Sequence, residues 1–218
     1  DENGPRLGTL RATAAPLLVE RSAHHAVLAF DAAWQMEDRA TTAQVRLTFD
    51  ASPLLRWAID LDSQGSNLRV KMTFATGAQG TIHAGMPFDV VARPVADTDL
   101  LPRTVDDDLA RILLGQREVN EVRTFPFHEF VAVGDAQRCV AVLAKGLHAY
   151  SADADGTLHL TLRRAVEWLT AANLANRVGD AGPFFYVPDA RCERRVRHEI
   201  AVAFCPFAAD SMQMQALN

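Results

Sequence analysis

Two His–Glu pairs, His128–Glu129 and His198–Glu199, are the residues of this 218-residue chain best suited to acid–base chemistry. An imidazole beside a carboxylate can move a proton near neutral pH. Neither pair has a second His four residues further on, which a zinc-binding HExxH helix requires in order to place two imidazoles on one face. Both pairs lie in strand-like segments. We therefore interpret them as parts of strands, and an enzyme that uses one pair as acid and base stays an alternative.

A second group of polar residues surrounds a loop rich in Gly and polar side chains, which runs from Asn173 to Pro183. The loop follows a strand that ends in Arg163–Arg164, and it contains Arg177 and Asp180. Guanidinium groups form paired hydrogen bonds with planar or vicinal oxygen atoms, so a sugar-binding loop is one interpretation. The competing interpretation is a solvated loop with a surface Arg–Asp pair, which contributes little energy.

Aromatic side chains provide further candidates for sugar stacking. They are Trp34, Trp57, Trp168, Tyr150 and Tyr186. Aromatic residues of β sandwiches mostly pack in the core, and we expect this of Trp34 and Trp57. For Trp168 the sequence allows either a core position or a role in sugar binding, because the residue lies where the strand enters the polar loop.

Metal and cofactor motifs are weak throughout the chain. Asp153-Ala-Asp155-Gly156 has two carboxylates of a calcium loop but lacks the third ligand and the distal Glu, so it predicts a hairpin turn. The acidic run Asp106–Asp108 is best explained as the first turn of a helix. The sequence contains no GxSxG, GxGxxG or P-loop pattern. We expect no catalytic residue, metal site or cofactor in this chain.

Alternation of apolar and polar residues with period two dominates the sequence and predicts strands. The clearest example is Asn67–Thr76, in which Leu68, Val70, Met72 and Phe74 share one face. In a later strand, Leu158, Leu160 and Leu162 alternate with His159, Thr161 and Arg163, which predicts Arg163 on the solvent face. We predict one all-β sandwich domain over residues 1–218. A helical segment is inserted at 96–124, with its helix from Thr104 to Gly115.

The composition of the chain limits its possible binding partners and its cellular compartment. The formal net charge is −5 and no basic patch is visible, so nucleic acid is an unexpected partner. No apolar run has the roughly 20 residues that span a bilayer, and no signal peptide is visible. The three cysteines form no CxxC pair and favour free thiols, which predicts a cytoplasmic protein. A chain that begins with Asp1 is expected to be part of a longer protein.

Six segments, which follow one another along the chain in the same order as in that family, resemble the C-terminal β-domain of glycoside hydrolase family 38, the α-mannosidases. Leu160–Leu169, LTLRRAVEWL, is similar to the family's LTLLRSVGWL strand, with Arg163 in place of a Leu. Asn67–Gly77 is similar to a strand of the type HRLRVRFPTG, with Ala75 in place of Pro. The other segments are Phe88–Pro94, Val140–Tyr150, Asp180–Pro183 and His198–Ala203.

The resemblance implies a β supersandwich of the galactose-mutarotase-like kind, without the catalytic half of the enzyme. The nucleophile, the acid/base carboxylate and a divalent cation, usually zinc, are then expected in an upstream catalytic barrel domain, and this chain alone is expected to be inactive. The resemblance also implies a mannose-containing glycan as ligand. Because a loop of this domain helps to line the sugar site in the family, Arg164, Arg177 and Asp180 are the expected substrate contacts.

Three alternatives stay open beside this interpretation. A stand-alone carbohydrate-binding module requires exposed aromatic side chains and measurable sugar affinity. A small mutarotase-like enzyme requires one His–Glu pair to face a cleft. A dimerising structural sandwich, which would be a homo-oligomer, requires a large apolar patch without a polar cleft.

Overall fold

The computed structural model describes residues 6–78, 80–93, 124–135, 138–170 and 182–205. These residues form β-strands and one 3-10 turn, Pro188–Arg191, and they contain no α-helix. The strands are β1 (Arg11–Ala12), β2 (Leu17–Arg21), β3 (His25–Met36), β4 (Arg39–Asp50), β5 (Leu54–Gln64), β6 (Leu68–Phe74), β7 (Thr81–Met86), β8 (Asp89–Arg93), β9 (Phe125–Pro126), β10 (Phe130–Gly134), β11 (Cys139–Ala144), β12 (Ala149–Ala152), β13 (Leu158–Ala165) and β14 (Val196–Cys205). The predicted helical segment at 96–124 falls almost entirely on residues outside this description.

Two antiparallel sheets organise these strands. The larger sheet has the order β1-β3-β4-β5-β14-β11-β10-β7-β8, and β2 also pairs with β3. The smaller sheet has the order β6-β13-β12-β9. Because β6 lies beside β13 rather than beside β5, the chain leaves the large sheet after β5 and begins the small one.

The core lies between the two sheets. Val45, Ile59 and Val142 of the large sheet belong to the same buried cluster as Val70 and Leu160 of the small sheet. Apolar residues on alternate positions of both sheets therefore face each other, as sheet-on-sheet packing requires. The predicted all-β sandwich is confirmed.

The strand and turn predictions around the small sheet also hold. In β6, Leu68 and Val70 are buried while Lys71 and Thr73 are exposed, as alternation predicts. The turn at Asp155–Gly156 closes a hairpin, in which the amide of Asp153 donates to the carbonyl oxygen of Thr157 at 2.9 Å. Gly156 has a φ of 81°, a left-handed conformation that glycine adopts without a steric penalty.

The predicted orientation of Arg163 is wrong. The pairing of β13 with β6 shifts register between Thr161 and Arg163, where Leu162 is the extra residue of a β-bulge. Each residue after a bulge faces the opposite side from the one that strict alternation gives. Arg163 is consequently buried, and Arg164 is exposed on the outer face of the small sheet, opposite Arg69.

Candidate functional site

The site forms where the chain leaves β13 and meets the segment around the 3-10 turn. The backbone amide of Val166 donates to Ala190 O at 3.1 Å, and that of Val187 donates to Glu167 O at 2.7 Å. These bonds hold two arms of the chain side by side, one at 166–169 and the other at 185–190. We call the group that they assemble the Trp168 cluster; its members are Asn67, Glu167, Trp168, Tyr186 and Arg191.

Trp168 and Tyr186 form the aromatic part of the cluster. The two residues share an isolated antiparallel β-bridge, and their ring centroids lie 5.4 Å apart with the planes tilted by 59°. Trp168 is 48% exposed and Tyr186 is 50% exposed, so each ring packs against the other and still meets solvent. A surface of this kind offers π faces for the C–H groups of a sugar ring.

Arg191 anchors the polar part of the cluster. Its Nη2 donates to Glu167 Oε1 and to the Tyr186 hydroxyl oxygen, each at 2.7 Å. The guanidinium carbon also lies 5.8 Å from the centroid of the Tyr186 ring. Because the phenol oxygen only accepts in this arrangement, its own O–H group remains able to donate to a ligand.

Glu167 is held as a carboxylate. Hydrogen bonding from Ser66, from Asn67 and from Arg191 lowers the pKa of Glu167 below its ordinary value, and Ser66 makes the largest contribution. The Asn67 side-chain amide donates to Glu167 Oε2 at 2.9 Å. Both carboxylate oxygens are therefore occupied. This arrangement suits a residue that orients its neighbours better than a general acid, which must carry a proton.

Apolar side chains extend the exposed surface around the aromatic pair. Leu169, Phe184 and Phe185 are all exposed beside it. The amide of Leu169 donates to Phe185 O at 2.9 Å, so the bonding between the two arms continues beyond Trp168. The site thus combines a polar anchor with an apolar rim.

The expected substrate contacts are only partly placed by the structure. Arg164 lies on the outer face of the small sheet, opposite Arg69 in the β13–β6 pairing. Arg177 and Asp180 lie outside the described residues. Trp168, which the sequence left open, is exposed, whereas Tyr150 is fully buried and Trp57 is partly buried against the core. Trp34 has intermediate exposure.

Sequence reasoning missed Glu167 and Arg191 as members of the site. They are 24 residues apart, and no local spacing connects a residue at the end of a strand with one in a 3-10 turn. One available signal was Glu167 itself, which stands where the family's LTLLRSVGWL strand has Gly. A carboxylate in place of Gly at that position indicates a nearby cation or hydrogen-bond donor.

The two His–Glu pairs do not form an acid–base site in the structure. His198 is buried on the core-facing side of β14, and Glu199 is exposed on the other side. Burial lowers the pKa of His198 below its ordinary value of 6.5. His128 is exposed and Glu129 is half-buried, with 3.9 Å between His128 Nδ1 and Glu129 Oε1. Neither pair therefore provides the shared cleft that the small-enzyme alternative requires.

The described ranges hold neither a cluster of metal ligands nor a helix that could span a membrane. No three His, Cys, Asp or Glu side chains among those residues come together to hold a metal ion. No helix in the same ranges is long and apolar enough to cross a membrane.

Comparison with known proteins finds similarity in solved structures. No protein-family model matches the chain, and no curated protein matches it either. An α-mannosidase from Enterococcus faecalis V583 superposes with a TM-score of 0.73 and 19% identity, over 95% of this chain. A glycosyl hydrolase family 38 protein from Enterococcus faecalis superposes with a TM-score of 0.68 and 19% identity, over 91% of this chain.

The chain spans 23% of the length of each of these two proteins. At 19% identity the similarity establishes a shared fold. The resemblance predicted from the sequence is thus confirmed at the level of fold.

Proposed function

We propose that this chain is the non-catalytic β-domain of an α-mannosidase-like retaining glycoside hydrolase. Its role is to support a catalytic barrel domain and to complete one wall of the sugar site. The observation that carries the proposal is the fold similarity, which covers 95% of this chain but only 23% of an α-mannosidase. A domain of that relative size fits one module of a larger enzyme.

Catalysis belongs, in this proposal, to the barrel domain. Retaining hydrolysis requires two carboxyl groups about 5 Å apart across the scissile bond. Our best candidates for acid–base chemistry here, His128–Glu129 and His198–Glu199, do not face a common cleft. The divalent cation is assigned to the barrel domain as well, and no step of the reaction is assigned to a metal held by this chain.

The Trp168 cluster supplies the contact with the sugar. The rings of Trp168 and Tyr186 offer apolar faces, and the Tyr186 hydroxyl group offers a donor beside them. The ion pair between Arg191 and Glu167 fixes the orientation of the Tyr186 ring before a ligand arrives. Preorganisation of this kind lowers the entropic cost of binding. Arg164, Arg177 and Asp180 remain proposed contacts on the flanking strand and loop, for a mannose-containing glycan.

A stand-alone carbohydrate-binding module is the second candidate. The observation in its favour is the exposure of Trp168 and Tyr186 in direct contact with each other. Such a module binds sugar without a catalytic domain, whereas a domain that completes one wall of a shared site binds weakly or not at all by itself. Sugar affinity at the Trp168 cluster of the isolated chain therefore separates the two candidates.

The compartment is a further part of the proposal. Cys192 is a free thiol of intermediate exposure. Free thiols persist in reducing compartments, which supports a cytoplasmic enzyme.

Hydrolysis of an aryl α-mannoside tests the main proposal. The 218-residue chain is compared with the full-length parent enzyme and with the parent that lacks this domain, each with added zinc. We expect turnover by the full-length enzyme, none by the 218-residue chain, and loss of activity when the domain is removed. Turnover by the 218-residue chain itself would overturn the proposal and return attention to the His–Glu pairs.

A further inference from the structure

A surface depression lies far from the Trp168 cluster, at the turn that joins β2 to β3. It has a volume of about 410 Å³, within the range of small-molecule sites. Its wall is formed by the turn residues Ser22 to His24 and by Phe49 to Ala51 at the end of β4. We call it the β2–β4 depression.

Its floor is apolar and partly aromatic. Leu18 and Ala26 line the depression together with Phe49. Ala26 is the pairing partner of Phe49 across β3 and β4, so the methyl group leaves the aromatic ring uncovered. Phe49 is 43% exposed, which presents a ring to any ligand in the depression.

Asp50 provides a fixed acceptor beside that ring. The amide of Ser52 donates to Asp50 Oδ1 at 2.8 Å, and Arg56 Nη1 donates to Oδ2 at 2.5 Å. Hydrogen bonding from Ser52 is the main reason that the pKa of Asp50 lies below its ordinary value. The carboxylate is therefore charged at neutral pH and held in place, and each oxygen keeps a lone pair for a ligand hydroxyl group.

Donors lie on the opposite wall. The side chains of Arg21 and His24 line the depression and have no hydrogen-bond or ion-pair partner among the described residues. His25 completes the wall, with its Nε2 atom 3.3 Å from Glu20 Oε2. Arg21 and His24 are thus available to donate to a ligand.

This combination selects a neutral polyhydroxylated ligand. An exposed aromatic face suits the C–H face of a sugar ring, while a fixed carboxylate and free donors suit its hydroxyl groups. A phosphate or carboxylate ligand would meet the charged Asp50. A metal ion would find a single carboxylate whose oxygens already accept from Ser52 and Arg56. We propose that the β2–β4 depression is a second sugar-binding site.

The depression is independent of the Trp168 cluster and of the function proposed for it. Leu54, at one end of β5, lies three residues after Ala51, which lines the depression. Gly65, just beyond the other end, is bonded to Glu193 near the Trp168 cluster. Because β5 has 11 residues, the two sites lie roughly 30 Å apart along the strands. A ligand at the depression would anchor a long or branched glycan at a distance from the sugar site.

Chemical-shift titration of the 218-residue chain by NMR tests the proposal. The probes are methyl α-mannoside, methyl β-glucoside, methyl β-galactoside and, separately, inorganic phosphate. We expect at least one glycoside to shift the amides of 18–26 and 49–51, with a Kd on the order of 1–10 mM. Asp50→Asn, which keeps the shape of the side chain, and Phe49→Ala are each expected to weaken binding by at least tenfold.

Two variants serve as controls, and three different results would overturn the proposal. Phe88→Ala removes an aromatic side chain that is fully exposed elsewhere, and Trp168→Ala alters the other site; both should leave these shifts unchanged. The proposal is overturned if no glycoside shifts these amides, if phosphate shifts them in place of a glycoside, or if Asp50→Asn binds as tightly as the wild type. If Trp168→Ala keeps these shifts while the parent enzyme that carries the same change has a lower kcat/KM, the result would support each of the two sites separately.

Discussion

The guanidinium of Arg163 lies inside the sandwich and donates a hydrogen bond from Nη2 to the backbone carbonyl oxygen of Arg191. Its Nε and Nη1 atoms are buried without a hydrogen-bond partner among the described residues. Burial lowers the pKa of Arg163, against the opposing effects of Cys192, Glu193 and Asp62. The side chain thus ties β13 to the 3-10 turn that carries Arg191.

Replacing Arg163 separates packing from hydrogen bonding. The family's strand has Leu at this position, and Arg163→Leu removes a desolvated charge while it fills most of the space. We expect it to leave the free energy of unfolding unchanged or to raise it by about 1–2 kcal/mol. Arg163→Ala leaves a cavity and should lower that free energy by about 2–4 kcal/mol. Urea denaturation of the three proteins measures both values. Equal destabilisation by Leu and Ala would show that the hydrogen bond to Arg191 outweighs packing.

The orientation of Arg163 also marks a limit of sequence reasoning. Alternation placed the side chains of β6 on their correct faces, because a regular strand has a period of two whatever its neighbour is. The same rule failed in β13 because Leu162 is an extra residue relative to β6, and that register depends on the partner strand. Nothing within LTLRRAVEWL distinguishes a bulged strand from a regular one.

The candidate site was predictable only where its parts are local. Trp168 was singled out because it stands at the end of a strand, and the polar loop was recognised from its Gly residues. The ion pair of Glu167 with Arg191 was missed, since it depends on how the loop returns to β13. Long-range contacts of this kind follow from the paths of loops, which the period of a strand does not determine.

Acid should weaken the link between Glu167 and Arg191. The pKa of Glu167 is lowered in the folded chain, chiefly by the hydrogen bond from Ser66. The ionised carboxylate therefore stabilises the fold fully at pH values above 4.5, the ordinary pKa of the group. That effect is lost as the pH falls from this value through the folded-state pKa. Glu167→Gln should therefore melt at a lower temperature than the wild type at pH 7, and the gap should close towards pH 3.

Thermal melts from pH 3 to pH 7 measure this gap. Glu37→Gln is the matched control, because Glu37 lies exposed in the turn between β3 and β4 and pairs with no described residue. The control should follow the wild type at every pH. A gap between Glu167→Gln and the wild type that stays constant down to pH 3 would contradict the assignment of Glu167 as a stabilising carboxylate.

His198 should destabilise the fold in mild acid. Burial lowers its pKa, and its Nε2 atom is buried without a hydrogen-bond partner among the described residues. Below pH 6.5, the ordinary pKa of histidine, His198 binds a proton in the unfolded chain but stays neutral in the folded chain until the pH reaches its lowered pKa. Stability is therefore lost as the pH falls through 6.5, and the loss levels off below the folded-state pKa.

His198→Phe removes this titration while it keeps a ring in the core. We expect the stability of the variant to depend less on pH than that of the wild type between pH 7.5 and pH 5, as measured by urea denaturation. His148→Phe, at an exposed position, should keep the wild-type dependence. If the stability of the wild type and of His198→Phe depended equally on pH, the pKa of His198 would not be lowered in the folded chain.

The proposed sugar contacts are best tested in the full-length parent enzyme. Arg177→Ala should raise KM or lower kcat/KM for an aryl α-mannoside by about tenfold, the effect of losing one charge-assisted hydrogen bond. Trp168→Ala should act in the same direction, because it removes the exposed ring that packs on Tyr186. Phe88→Ala, which removes a fully exposed aromatic side chain, is the control and should leave the kinetics unchanged. Wild-type kinetics for both Arg177→Ala and Trp168→Ala would mean that this edge of the domain does not reach the sugar, and would leave scaffolding as its role.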